Sequence, residues 1–342
     1  MNHLHNCLTD VPGLSVGHAQ DDEALTGCTV VLCENEAVGG VDQRGGAPGT
    51  RETDGLHPMH LVQKVHGVVL AGGSAFGLDA AGGVMRYLEE RGIGFDVRVA
   101  RVPIVPAAIL FDLSIGRADV RPDAAMGYQA CLNAGAGPFA EGNVGAGTGA
   151  TVGKILGIEQ AMKSGIGSAS FDLGRGIVVA ALAAVNAFGD VIDPQSGKII
   201  AGARSRADGT AGTGTGEYFA DTLRVMKLLV GEPALVFGKP PVPGNTVIGV
   251  VATNAGLTKE GANKIAQMAQ DGLARTVRPA HTMLDGDTIF ALSTGASPAE
   301  SRVVDVNIIG AFAAEVFAQA VLRAVRAALP AGGLPAAASH TH

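Results

Sequence analysis

The segment from Pro241 to Asn254 constrains the fold more than any other part of the chain. It begins as a loop that contains two prolines and a glycine, and it runs directly into Thr246. From Thr246 onward, β-branched and small apolar residues follow one another without a break. Such a run predicts a buried strand that begins at Thr246, immediately after a stiff turn.

Thr246 is a candidate nucleophile because of this position. If the Asn245–Thr246 bond is cut, Thr246 acquires a free α-amino group beside its own hydroxyl. The amine can then act as the base that activates the hydroxyl, as in amino-terminal nucleophile enzymes. Thr and Asn are also common at strand starts and in turns, so a purely structural role for Thr246 stays open at this point.

The composition favours a densely packed globular protein. Of the 342 residues, 50 are glycine, about twice the usual share of roughly 7%. The glycines are scattered among apolar residues, which indicates tight turns and close backbone approaches rather than a collagen-like or disordered chain. Tryptophan is absent and aromatic residues make up only 4%, so the core is expected to consist of Ala, Val, Leu and Ile.

Charge and cysteine usage exclude several partners. The formal net charge is −7 and no basic run is present, which argues against a nucleic-acid partner. The spacing of the four cysteines is typical of neither a disulfide framework nor a metal site. No signal peptide is visible, and the stretch Gly176–Phe188, taken as the longest strongly apolar one, is too short to span a bilayer. A soluble cytoplasmic protein without a membrane partner is expected.

The order of apolar segments predicts an α/β protein. Strands are expected at 28–32, 67–70, 177–185 and 288–293, and helices at 259–276, at 304–329 and in the segment that Gly92 ends. Their irregular alternation favours stacked sheets covered by helices over a simple βαβ series. Residues 203–216, rich in Gly, Thr and Ala without periodicity, are predicted to form a flexible loop.

Two Gly-rich motifs resemble nucleotide-binding patterns but lack the required context. The motif at residues 145–150 does not follow a buried strand, and Gly153-Lys154 is followed by Ile155 rather than by a hydroxyl residue. What remains is a Gly-rich turn that presents Lys154. This lysine is either a solvated surface charge or a buried group that lines a site.

A metal site is not expected either. His57, His60 and His66 are grouped, but their spacing is not that of a zinc motif and no carboxylates accompany them. They are predicted to be solvent-facing histidines on a helix. The sequence therefore predicts a protein that needs neither a metal nor an organic cofactor.

Asp285 and Asp287 flank a glycine directly before the strand predicted at 288–293. Asp-Gly is a strong turn signal, so an ordinary surface turn is one interpretation. Alternatively, the two carboxylates point into a cleft, orient the amine and hydroxyl of Thr246, and relay protons.

Several ordered stretches together resemble a known family, which comprises the L-aminopeptidase/D-Ala-esterase/amidases and the β-peptidyl aminopeptidases, with the nylon-oligomer (6-aminohexanoate-oligomer) hydrolase as a relative. The resemblance covers nearly the whole chain, and several stretches in the right order are more specific than any one of them. The matching stretches are Asp10–His18, Arg44-Gly45-Gly46, Gly72–Gly83, Gly153-Lys154, Gly244-Asn245-Thr246 and Asp285-Gly286-Asp287.

The resemblance implies a four-layer αββα sandwich formed by a single domain, residues 1–342. It also implies that the chain cuts itself into a larger subunit, 1–245, and a smaller one, 246–342, and that it forms a homo-oligomer, in this family a tetramer. Carried over by position, Thr246 is the nucleophile and Asp285 and Asp287 are its supporting carboxylates. Lys154 lines the site, and Asn186 resembles the family's oxyanion-stabilising asparagine.

The chain departs from parts of this family. The aminopeptidase members use serine with a Ser/Glu support pair, whereas Thr246 with two aspartates is closer to the nylon-oligomer hydrolase. That hydrolase has a tyrosine where this chain has Phe111, so any role of a phenol hydroxyl is lost. We therefore expect an autoprocessing hydrolase of short peptides or small amides. The alternatives are an oligomer that processes itself but has only a structural or binding role, and a binding module that never cuts itself.

Overall fold

The computed structural model describes residues 4–206, 218–230, 244–297 and 305–339. Most of the loop predicted at 203–216 lies outside these residues, as do residues 241–243 of the segment that precedes Thr246. The helices are α1 (Ala80–Glu89), α2 (Ala124–Leu132), α3 (Thr222–Leu229), α4 (Lys259–Thr276) and α5 (Val306–Ala327). The strands are β1 (Ser15–Asp21), β2 (Thr26–Gln43), β3 (Thr50–Arg51), β4 (Lys64–Ala71), β5 (Phe95–Asp96), β6 (Arg101–Val102), β7 (Ala107–Ile109), β8 (Thr151–Val152), β9 (Met162–Lys163), β10 (Ile166–Gly174), β11 (Ile177–Asn186), β12 (Asp190–Ile192), β13 (Ile199–Ala201), β14 (Thr246–Thr253), β15 (Val277–Arg278) and β16 (Thr288–Ser293).

The long strand β2 connects two halves of one continuous sheet. The sheet has nine strands in the order β10-β11-β14-β16-β2-β4-β7-β3, and β1 also pairs with β2. The first part of β2 pairs with β1 and β4, and its last part pairs with β16. Between them the register with β4 shifts from Leu32 to Ala37, where an irregularity of this kind bends a strand. The sheet therefore folds over on itself at β2.

Alternate side chains of the strands fill the space between the two halves. Because successive side chains of a strand point to opposite faces, each strand contributes every second residue to this inner core. The inner residues include Val31 and Cys33 of β2, Val68 and Leu70 of β4, Ala180 and Leu182 of β11, Ile248 and Val250 of β14, and Phe290 and Leu292 of β16.

The opposite faces of the two halves are covered by helices. Helices α4 and α5 pack on the half that contains β11, β14 and β16, against residues such as Val179, Ala181, Val247 and Ile289. Helices α1 and α2 pack on the other half, against residues such as Val30, Leu32, Val69 and Ala71. The order of layers is helix, sheet, sheet, helix, and the predicted four-layer αββα fold is confirmed.

The abundant glycines allow the layers to approach closely. A Cβ on Gly272 of α4 would lie 2.1 Å from the carbonyl oxygen of Ala314 in α5. A Cβ on Gly127 of α2 would lie 2.0 Å from the carbonyl oxygen of Ala80 at the start of α1. Both helix pairs therefore meet backbone to backbone, which larger residues at these positions would prevent.

Two expectations from the sequence need correction. Helix α5 is long and apolar enough to span a membrane by length and composition alone, which the stretch 176–188 is not. However, 61% of its apolar window is buried inside the fold, which is typical of a core helix.

The second correction concerns the three histidines. His66 is not on a solvent-facing helix, because it lies in β4 and is buried. His57 and His60 are exposed and lie in bends. Within the described ranges, no group of three or more metal-ligating side chains is present.

Candidate active site

The sheet topology brings three chain segments together around Thr246. Strand β11 is antiparallel to β14, so its last residue, Asn186, is the direct partner of Thr246 at the start of β14. Strands β14 and β16 are parallel, so the turn before β16 lies beside the loop before β14. There Asn245 and Asp285 form a parallel bridge. Residues far apart in the sequence thus meet at one edge of the sheet.

Thr246 lies next to the carbonyl group that self-cleavage would attack. Its side chain is buried, and its Oγ1 donates a hydrogen bond to the carbonyl oxygen of Asn245, the residue before it. Gly286 faces the same hydroxyl, since a Cβ there would lie 2.8 Å from Oγ1. The hydroxyl is therefore buried within the site and close to the Asp285-Gly286-Asp287 turn.

Asp287 holds the backbone beside Thr246. Its Oδ1 accepts a hydrogen bond from the backbone N–H of Val247 at 2.8 Å. Its Oδ2 accepts one from the backbone N–H of His281 at 2.9 Å and lies 2.9 Å from Nδ1 of the same histidine. Asp287 therefore ties the start of strand β14 to the loop before β16, which sets the position of the Thr246 hydroxyl.

Asp285 is buried, and its protonation state is sensitive to pH near neutrality. Its Oδ2 accepts a hydrogen bond from the backbone N–H of Thr282 at 2.8 Å and another from the Thr282 hydroxyl. Burial and the nearby charge of Asp287 raise the pKa of Asp285 to about 6, because both disfavour the ionised carboxylate.

Asn186 forms hydrogen bonds through both ends of its side-chain amide, as a donor at Nδ2 and as an acceptor at Oδ1. Its Nδ2 donates to the carbonyl oxygens of Phe111 at 2.9 Å and Gly244 at 3.2 Å. Its Oδ1 accepts from the backbone N–H of Thr151 at 3.0 Å and from Nζ of Lys154 at 2.8 Å. With Gly244 in place, the donor end faces the residue before Asn245 rather than the Asn245 carbonyl oxygen.

Lys154 lines the site rather than facing solvent. Its Nζ donates to both the backbone oxygen and the side-chain oxygen of Asn186, each at 2.8 Å. Burial lowers the pKa of Lys154 to about 7, although the charges of Asp285 and Asp112 oppose this shift. Of the two interpretations left open by the sequence, the site-lining one agrees with these contacts, and the side chain is half-buried.

Phe111 packs against the chain just before the predicted cleavage position. Gly244 has a φ of 135°, and a Cβ there would lie 2.3 Å from Cγ of the Phe111 ring. Only glycine fits this position. The ring therefore occupies the side of the site where the acyl group of a cleaved bond would lie.

A second lysine near the site, Lys163, carries no signal in the sequence. Lys163 is fully buried, and its Nζ donates to the carbonyl oxygens of Gly147 and Ala150, each at 3.0 Å. Burial lowers its pKa to about 7, and the charge of Asp112 opposes the shift. Lys163 ties together the Gly-rich turn that leads to Lys154. A lone lysine carries no motif, so only its contacts reveal this role.

We predict that Asp285→Asn changes the pH dependence of stability. In the parent, the folded-state pKa of about 6 exceeds the unfolded value of about 3.9, so the folded state binds more protons between pH 4 and 6. The stability that Asp285 contributes is thus present below pH 4 and is lost as pH rises through 6. The asparagine side chain of the variant does not titrate. As pH rises from 4 to 6, the unfolding free energy of the parent should therefore fall relative to that of the variant, by up to about 3 kcal/mol.

Denaturant unfolding at several pH values measures this difference. Both proteins should carry Thr246→Ala, so that each stays a single chain. Asp42→Asn, a change at a partly exposed carboxylate outside the site, is the control. A relative stability that stays constant between pH 4 and 6 would contradict the raised pKa of Asp285.

Solved structures with the same fold show which class of protein this architecture belongs to. The L-aminopeptidase D-Ala-esterase/amidase of Ochrobactrum anthropi, described as a variant of the Ntn (amino-terminal nucleophile) hydrolase fold, superposes with a TM-score of 0.66, at 20% identity over 94% of this chain and 86% of its own. A β-aminopeptidase of a Burkholderia species has a TM-score of 0.64, at 21% identity over 97% of this chain and 90% of its own. The fold is therefore that of the amino-terminal nucleophile hydrolases.

Sequence relatives define the family. The model of peptidase family S58 matches residues 6–337. An uncharacterised aminopeptidase of Mycobacterium tuberculosis is 45% identical over 96% of both chains. The 6-aminohexanoate-oligomer endohydrolase of a Kocuria species is 32% identical over 93% of this chain and 85% of its own. The chain belongs to peptidase family S58 and is a hydrolase of peptide or amide bonds, which confirms the resemblance inferred from the sequence.

Proposed function

We propose that the chain is an autoprocessing amino-terminal threonine hydrolase that acts on short peptides or small amides. The observation that carries this proposal is the contact between Thr246 Oγ1 and the carbonyl oxygen of Asn245 in a buried site. A hydroxyl held against the adjacent carbonyl has the entropic advantage of an intramolecular reaction.

In self-cleavage, Thr246 Oγ1 attacks the carbonyl carbon of Asn245. The C–N bond breaks, the hydroxyl proton ends on the Thr246 nitrogen, and an ester joins Asn245 to Oγ1. Water then hydrolyses the ester. The products are a chain that ends at Asn245 and a second chain that begins with the free amine of Thr246.

In turnover, Thr246 Oγ1 attacks the substrate carbonyl carbon, and its own amine accepts the hydroxyl proton and delivers it to the leaving amine as the substrate C–N bond breaks. Water then hydrolyses the acyl ester on Thr246, which releases the acid and restores the hydroxyl. When the new carboxyl-terminal end moves away after cleavage and takes Gly244 with it, the Nδ2 of Asn186 loses one of its two carbonyl partners and is available to an oxyanion. Lys154 holds Asn186 in place and adds positive charge to the site when protonated. Asp287 positions Thr246, and Asp285 tunes the charge around its amine.

The substrate class follows from the surroundings of Thr246 and from the relatives. Phe111 provides an apolar wall on the acyl side without a hydroxyl of its own. Relatives carry the names aminopeptidase and 6-aminohexanoate-oligomer endohydrolase. We propose amides of small amino acids and linear ω-amino acid oligomers as the compounds to test first.

Intact mass analysis of the purified protein tests the proposal. We expect two chains, 1–245 and 246–342, of about 24 and 10 kDa in proportion to their lengths. Their summed mass should exceed that of the precursor by one water molecule. Fully active protein that consists only of uncut chain would contradict the proposal.

A substrate panel separates hydrolysis from the alternatives. It should contain aminoacyl amides, D-Ala esters, β-peptides and aminohexanoate oligomers. Cut protein that is inert toward every member would favour an oligomer that processes itself and then only binds. Size-exclusion chromatography and cell fractionation test the predicted homo-oligomer and the predicted cytoplasmic location.

A further inference from the structure

The peptide group between Asp285 and Gly286 is hydrogen-bonded at both ends within the site. Its carbonyl oxygen accepts a hydrogen bond from the backbone N–H of Ala47 at 2.8 Å. Its N–H donates to the carbonyl oxygen of Asn245, also at 2.8 Å. This is the carbonyl that Thr246 faces, so a main-chain donor already points at the oxygen on which negative charge would develop.

The side-chain donor implied by the family resemblance does not reach this oxygen while the chain is uncut. Asn186 donates to Gly244 and Phe111 instead. Among the described residues, the donors to the Asn245 oxygen are the Gly286 N–H and the attacking hydroxyl of Thr246 itself. The hydroxyl is consumed in the reaction, which leaves the Gly286 N–H as the donor.

The surrounding loop holds this peptide group rigidly. A Cβ on Gly45 would lie 2.1 Å from the carbonyl oxygen of Asp285, so the loop that contains Gly45 packs directly against the back of the peptide group. A Cβ on Gly286 would lie 2.7 Å from the Ala47 oxygen and 2.8 Å from Thr246 Oγ1. Glycine at both positions allows the close approach. A donor fixed before the reaction needs no reorganisation, which is the requirement for effective oxyanion stabilisation.

We propose that the N–H of Gly286 is the oxyanion donor for self-cleavage, an inference that rests on the proposed function and adds a catalytic group to it. As the bond from Thr246 Oγ1 to the Asn245 carbonyl carbon forms, the carbonyl π electrons move to the oxygen and Gly286 stabilises the charge. The electrons return when the C–N bond breaks, and the hydroxyl proton ends on the Thr246 nitrogen. The acyl carbonyl of a substrate later occupies the same position, so Gly286 serves turnover beside Asn186.

Replacing Gly286 by glycolic acid through nonsense suppression tests the role directly. The substitution turns one amide into an ester and removes the N–H without adding an atom to the crowded site. We expect self-cleavage to slow by about 10²–10³-fold, as for the loss of one oxyanion donor. The rate is read from the disappearance of full-length chain after refolding or synthesis. Cleavage at the parental rate would overturn the proposal.

The adjacent hydrogen bond of the same bridge provides a matched control. The backbone N–H of Asn245 donates to the carbonyl oxygen of Leu284 at 3.2 Å, and it does not point at the scissile carbonyl. Replacing Asn245 by its α-hydroxy analogue removes this donor, weakens the Gly244 carbonyl as an acceptor and leaves the Gly286 N–H in place. We expect a much smaller effect on the cleavage rate. Equal slowing by both esters would show that the Gly286 bond only supports the bridge, and would overturn the catalytic role.

A second measurement needs no altered backbone. In parent protein labelled with ¹³C at Asp carbonyls and ¹⁵N at Gly, the spectrum reports only Asp-Gly pairs. An aminoalkyl boronic acid that forms a tetrahedral adduct with Thr246 should shift the Gly286 amide proton downfield. No shift on adduct formation would contradict the proposal.

The outcomes distinguish this inference from the proposed function. If the parent chain never cuts itself, the proposed function fails. If the parent cuts itself and the Gly286 ester variant cuts at the same rate, this inference alone fails.

Discussion

Thr246→Ala is expected to leave the chain uncut and without hydrolase activity. Among the described residues, the Thr246 hydroxyl oxygen is the atom placed to attack the Asn245 carbonyl, and the substitution removes it. The fold around it should change little, because the Cβ methyl group of alanine fits the same buried position. Loss of a nucleophile typically costs 10⁵-fold or more, roughly the whole contribution of the catalytic group. Denaturing electrophoresis and intact mass give the state of the chain, and the substrate panel gives the rate.

Thr246→Ser is the matched control. It keeps the hydroxyl and, after cleavage, the amine, and it removes only a methyl group. Self-cleavage and turnover should both persist. A Thr246→Ala protein that still splits between residues 245 and 246 would exclude Thr246 as the attacking group, whereas loss of both activities in Thr246→Ser would point to a packing role for the side chain.

Asn186→Asp is expected to slow turnover by about 10²–10³-fold. Self-cleavage should slow by less, because in the uncut chain Nδ2 of Asn186 donates to Gly244 and Phe111 rather than to the Asn245 carbonyl oxygen. The variant has the same shape, but one end of the side chain changes from donor to acceptor. A carboxylate oxygen would then face the carbonyl oxygens of Gly244 and Phe111 in a buried site, which is repulsive. In turnover the effect should fall on kcat more than on KM, because a donor to the oxyanion acts mainly in the transition state.

Thr151→Val separates the two ends of Asn186. Thr151 Oγ1 donates to Oδ1 of Asn186 at 3.3 Å, while its backbone N–H makes the shorter bond and is unchanged by the substitution. We expect less than a tenfold change in this variant, since a long hydrogen bond is lost and the Nδ2 donor stays in place. Equal losses in Thr151→Val and Asn186→Asp would indicate that Asn186 acts only through the packing of the turn at residues 151–154.

The most regular segments were predictable from the sequence. Periodicity and residue type predict the helix at 259–276 and the strands at 177–185 and 288–293. Helix α4 and strands β11 and β16 begin and end within one residue of those limits. The helix that Gly92 terminates is shorter than expected, because residues Ser74–Asp79 form a 3₁₀ helix before α1. Local preference decides such elements where packing agrees with it.

Elements that depend on distant contacts were not predictable in this way. The strand predicted at 28–32 is part of the much longer β2, whose second part carries polar residues and is held by pairing with β16. The sequence predicts an exposed helix at His66, but the pairing of neighbouring strands places it in a buried strand. In both cases the deciding partners are far away in the sequence, which a local pattern cannot represent.

The sequence by itself determined the candidate nucleophile and the carboxylate pair, because a hydroxyl after a stiff turn and two aspartates around a glycine are local patterns. Only the tertiary structure decided how these groups meet. The antiparallel pairing of β11 with β14 places Asn186 opposite Thr246, and the parallel pairing of β14 with β16 places the Gly286 N–H on the Asn245 carbonyl. Strand register is a relation between distant segments, set by the burial of alternate side chains in a shared core, so it appears only when the sheet has formed.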